Sequence, residues 1–80
     1  MYRLVSRHPS GDKFMFWQDN KLIARPYSAS NFGGLGYPAT FTSQEEATMA
    51  LWLHHYGFSE AEVKRQLDAG ALSCYQPEPC

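Results

Sequence analysis

Eighty residues are enough for one hydrophobic core and too few for two, so the sequence predicts one small domain. Apolar residues at 44% and aromatics at 15% carry too much hydrophobic mass for a disordered chain, and the aromatics must supply much of the core. Seven Lys plus Arg against eight Asp plus Glu leave a net charge of −1, which excludes the strong single-sign field that announces a nucleic-acid or acidic-surface binder.

Tyr2 to Arg7 alternates as a half-buried strand, with Tyr2, Leu4 and Ser6 on one face and Arg3, Val5 and Arg7 on the other. His8 to Asp12 reads as a turn. Lys13 to Gln18 is dense in Phe and Trp, Asp19-Asn20 suits the positive φ angles of a two-residue hairpin, and Lys21 to Arg25 returns with Leu22 and Ile23. That register sets Trp17 opposite Leu22 and Phe16 opposite Ile23. Residues 26–38 hold three glycines, two prolines and no charge, so they form a loop. Tyr27, Phe32, Leu35 and Tyr37 suggest that it is ordered and folded over the sheet. Ala39 to Thr42 is expected to form a short strand.

Two helix starts are marked by Ser43-Gln-Glu-Glu46 and Ser59-Glu-Ala-Glu62, in which serine and glutamate can satisfy each other's orphan backbone donors. Phe58 and Val63 fit a hydrophobic staple, and Gly57 and Gly70 are placed to end the helices in the left-handed conformation. Helices are predicted at 44–56 and 60–69, turning back on each other, with Ala71 to Tyr75 as a last edge strand. Residues 77–80 are expected to form a flexible tail, and 1–76 the single domain. On a helical wheel Met49, Ala50, Leu53 and Tyr56 share one side, Thr48 and His55 the other, with Leu51 and Trp52 on the flanks. Trp52 has two readings: packed on the sheet, or partly exposed as an anchor for a partner.

Chemistry-bearing patterns are few. His54 and His55 point about 100° apart on a helix and cannot form an i, i+4 metal pair. Cys74 and Cys80 match no zinc spacing and read as free thiols of a reducing compartment. Gly33-Gly34-Leu35-Gly36 is followed by neither Gly-Lys-Ser/Thr nor a helix start, so it is not a phosphate cradle. No serine has a neighbouring base, and no catalytic residue, metal or cofactor is expected. No run approaches the roughly 18 to 20 apolar residues of a membrane span, and the first residues lack a secretory signal, so a cytoplasmic protein is expected.

Charge position says more than charge sum. Residues 1–25 hold five basic and two acidic side chains, net +3, while residues 26–80 hold two basic and six acidic, net −4. Glu45, Glu46, Glu60 and Glu62 complement helix macrodipoles, which is their structural explanation. The functional one is an acidic patch facing a partner's basic, nucleic-acid-binding groove. The mirror alternative places Arg3, Arg7, Lys13, Lys21 and Arg25 on a nucleic acid with Phe14, Phe16 or Trp17 as stacking platforms.

The order of a short strand, the hairpin Phe14 to Arg25, a loop, Phe41-Thr-Ser-Gln-Glu-Glu, and a helix carrying Leu51-Trp52 that ends at Tyr56-Gly57 before a second helix resembles small anti-CRISPR proteins of phages and mobile elements. The likeness is greatest to those that block type I surveillance complexes. It implies a non-enzymatic inhibitor in the host bacterial cytoplasm that occupies a Cas protein surface and prevents target DNA binding or nuclease recruitment. Tyr56-Gly57-Phe58-Ser59 is also similar to the Met-Gly-Phe loop of ubiquitin-associated domains, although Ser73 to Cys80 does not supply their third helix.

The expectation is therefore an α+β domain, an antiparallel sheet of three or four strands packed on two antiparallel helices, acting as a protein-binding inhibitor. Its contacts are expected from Phe32 and Tyr37 of the loop with Glu45, Glu46, Trp52, Glu60 and Glu62 of the helical face. The alternative is a small nucleic-acid-binding regulator using the basic sheet face. A homodimer through the apolar flank of the first helix is the other way for so small a domain to bury more surface.

Overall fold

Residues 1–26 and 36–80 are described by a computed structural model of the chain. The predicted ordering of the loop over the sheet rests mainly on residues 27–35, which with Phe32 and its contact role lie outside the described residues.

Four antiparallel strands run β1 (Tyr2–Ser6), β2 (Lys13–Gln18), β3 (Lys21–Pro26) and β4 (Gln76–Pro79), in the spatial order β3-β2-β1-β4. Asp19 and Asn20 take φ angles of 53° and 63°, turning β2 into β3 with Trp17 opposite Leu22 and Phe16 opposite Ile23, the predicted register. β1 and β2 pair at Val5↔Phe14 and Ser6↔Lys13. Beyond there residues 39–41 slip between them: Ala39 donates to the Met15 carbonyl (2.9 Å), and Phe41 exchanges two hydrogen bonds with Tyr2 (2.8 Å each). The short strand expected at 39–42 is thus a single bridge that fills the open end of the sheet.

Helix α1 (Gln44–Ala50) runs directly into a π-helical turn (Leu51–His55), and helix α2 (Glu60–Asp68) follows. Ser43 accepts the Glu46 amide (3.1 Å) and Ser59 the Glu62 amide (3.3 Å), so the serine half of each predicted capping box forms. Glu46 reaches back one residue further than the motif requires, to the Thr42 amide (2.9 Å) and the Thr42 hydroxyl. Gly57 and Gly70 end the helices at φ of 78° and 80°, as predicted.

The helix-facing core gathers Leu4, Met15, Leu22, Phe41, Ala47, Ala50, Leu51, Trp52 and Val63. A second cluster, Val5, Phe14 and Phe16 with half-buried Ile23, lies on the opposite face of the sheet. Three expectations are corrected here. Leu51 and Trp52 are buried, as the packed reading of Trp52 expects, while Tyr56, placed on the apolar side of the wheel, is exposed. The wider π-turn rotates consecutive residues differently from an α-helix and brings the Leu51-Trp52 pair into the core together. Finally, the edge strand is not Ala71 to Tyr75 but residues 76–79, so the expected 77–80 tail is largely part of the sheet. Pro77 and Pro79 fit because an edge strand leaves alternate backbone positions unpaired.

Arg7 fastens this strand: its guanidinium makes a two-pronged contact with Glu78 (3.0 and 2.5 Å) and another with Asp12 (2.5 Å). On the other edge, the outward carbonyls of β3 are occupied by side chains. His55 Nδ1–H donates to the Leu22 carbonyl (2.9 Å), and Arg25 donates to that of Ala24 (3.0 Å).

Candidate protein-docking groove

The π-turn packs on β3 through the His55 hydrogen bond, and its neighbour His54 is thereby carried to the end of the hairpin. There the His54 ring stands edge-on to Trp17, with centroids 5.1 Å apart, and Phe41 lies 6.3 Å from the same indole. With Met49, Leu53 and Glu46 these residues line an open groove of about 290 Å³. Trp17 remains 42% exposed, although it belongs to the sheet face that carries the core. Glu46 supplies the groove with a fixed negative charge, because hydrogen bonds from the Thr42 hydroxyl and amide lower its pKa.

Sequence reasoning did not assemble this set. Trp17 entered as the hairpin partner of Leu22 and as a stacking platform, and His54 only as a failed metal ligand. The Trp17 side chain belongs with Met15 and Leu22 by strand alternation, but its meeting with His54 depends on where the π-turn docks, which no local pattern encodes.

The predicted contact residues have different surroundings. Tyr37 is 76% exposed. Trp52 is only 8% exposed and stacks on Tyr56 and Phe58 (4.7 and 5.4 Å), so its exposed reading is corrected: it belongs to the core. Glu45 borders a shallow depression with Gln44, Thr48, Met49 and Leu67. Glu60 and Glu62 lie in the first turn of α2. Glu62 is engaged by the Ser59 hydroxyl (3.0 Å).

The basic side chains also differ in their surroundings. Both ion pairs found among the described residues belong to Arg7. Arg3 lies over the Phe14 ring (4.8 Å to the centroid), and Arg25 sits opposite Phe14 on the same sheet face. Phe14 and Phe16 are buried, and the exposed Trp17 points to the other face. Among the described residues no three His, Cys, Asp or Glu side chains converge as metal ligands, and no helix is long and apolar enough to cross a membrane. Cys74 and Cys80 are exposed free thiols. Comparison with protein-family models, with curated proteins and with solved structures returns no match for this chain.

Proposed function

We propose that the chain is a protein-binding inhibitor that docks an apolar segment of its partner in the Trp17–His54 groove and acts by occupancy rather than by catalysis. The observation that carries this reading is the half-exposed indole of Trp17, held edge-on by His54 beside Phe41, Met49 and Leu53. An indole kept in water by its own fold is costly to a monomer and is the kind of anchor that dominates interface energetics. The partner class follows from the likeness in element order to anti-CRISPR proteins: a Cas subunit of a type I surveillance complex. Against the nucleic-acid alternative weighs the placement of Arg3 and Arg25 on the sheet face opposite the exposed Trp17.

The test is recovery of Cas subunits by tagged protein from a bacterial lysate expressing intact type I complexes, with and without nuclease. Nuclease-resistant recovery that the Trp17→Ala variant loses, by at least ~30-fold in apparent affinity for an anchor worth about 2 kcal/mol, is the expected result. Recovery of nothing removes the Cas assignment, recovery unaffected by Trp17→Ala removes the groove, and material lost on nuclease treatment favours the nucleic-acid reading.

A further inference from the structure

A second depression, separate from the groove, opens at the connection between β1 and β2. It holds about 260 Å³ and is lined by Ser6, His8, Ser10, Gly11 and Lys13. These residues supply hydroxyls, an imidazole and an ammonium, with no carboxylate among them. We propose that this depression is a binding site for a phosphate-class oxyanion, either the free anion or the phosphoryl group of a small monoester.

The loop's one carboxylate is removed from the site. Asp12 Oδ1 accepts the His8 amide (3.1 Å) and Oδ2 the Arg7 guanidinium (2.5 Å), so both oxygens are used in holding the turn. Arg7 is itself held by Asp12 and Glu78, which leaves the Lys13 ammonium, with no ion pair among the described residues, as the charge facing the depression. Ser6 and Lys13 are directly paired across the strands, so the hydroxyl and the ammonium project from one side of one ladder rung.

His8 is oriented by its neighbour. Its Nδ1 accepts the Ser10 amide (3.2 Å), a group that can only donate, so the neutral ring carries its proton on Nε2. The Ser10 hydroxyl lies 2.6 Å from the same Nδ1 and donates to it. The Gly11 amide closes the turn on the His8 carbonyl (3.0 Å), and Gly11 at φ 130° adds no side chain to fill the space. The result is a pinned turn whose lining carries an ammonium, hydroxyls and an imidazole, groups able to donate to an oxyanion. Room for several waters, at about 30 Å³ each, also fits a tetrahedral anion. Charge-assisted hydrogen bonds to an oxyanion are the strong ones, so Lys13 should dominate.

The test is a two-dimensional amide NMR titration of the full chain with sodium phosphate at constant ionic strength, with sodium chloride and methyl phosphate as parallel arms. Saturable shifts confined to residues 6–13 are expected with phosphate and not with chloride. Lys13→Gln should weaken them by ~10-fold or more, with Ser6→Ala weakening them less, as expected for loss of a charged and a neutral hydrogen bond. Lys21→Gln, which changes the net charge equally at a remote site, should leave the affinity within about twofold under screening. Tighter binding of methyl phosphate than of phosphate identifies an ester as the ligand, and the reverse identifies the free anion. Non-saturating shifts, equal shifts with chloride, or equal losses in the Lys13 and Lys21 variants would overturn the proposal.

Discussion

Asp12 is half-buried and Glu46 exposed, and each is tied to the backbone in a way that makes its ionised form part of the fold. The Arg7 guanidinium, then the His8 amide, lower the Asp12 pKa from an ordinary 3.8; the Thr42 hydroxyl and amide lower that of Glu46 from 4.5. A carboxyl whose folded pKa is depressed contributes stability above its unfolded pKa and loses it as pH falls through the folded value. Urea midpoints should therefore hold from neutral pH to about pH 5 and fall below about pH 4. Asp12→Asn and Glu46→Gln should each flatten that fall, Gln keeping the hydrogen bonds of the cap while removing the charge. At the same scale, Ser43→Ala removes the acceptor of the Glu46 amide and should cost about 1 kcal/mol in the same urea experiment.

The two adjacent histidines of the π-turn have different jobs, set by the element that holds them. His55 donates to the Leu22 carbonyl and stacks edge-on with Tyr56 and Tyr75, at 4.9 and 5.6 Å. His55→Ala leaves that carbonyl unpaired and should cost about 1–2 kcal/mol, with faster amide exchange along β3. His54→Ala should change stability little and perturb the groove, which Trp17 fluorescence would report. Legibility in the sequence follows the same division between local and distant causes. The β2–β3 hairpin and both helix starts were readable because Asp19-Asn20, Ser43 and Ser59 act on backbone within a few residues of themselves. The π-turn left one trace, an apolar run from Met49 to Leu53 too wide for one helical face. β4 was obscured by its prolines, which read as breakers unless the strand is known to lie at an edge. The groove was not legible, since Trp17 and His54 meet only after the π-turn has docked on β3.

At the scale of the whole molecule, one layer of helix on one side of the sheet has to supply most of the cohesion. Leu51, 1% exposed, sits in the core that joins both. Leu51→Ala should cost about 2–5 kcal/mol, a large part of the roughly 5 kcal/mol at the low end of domain stabilities where so short a chain falls. Loss of the cooperative thermal transition near room temperature is the expected outcome. Arg7 acts over the same distance, since its contacts tie the β1–β2 turn to the far end of the chain through Glu78.

The two borders of the sheet are closed by different chemistry: side-chain donors sit on the Leu22 and Ala24 carbonyls of β3, and Pro77 and Pro79 withhold amides along β4. A partner that recognises its target by lending it an extra strand would meet no free carbonyl at those two positions of one border and no amide donor at the prolines of the other. A strand added at either border would form with fewer backbone hydrogen bonds than an open edge offers.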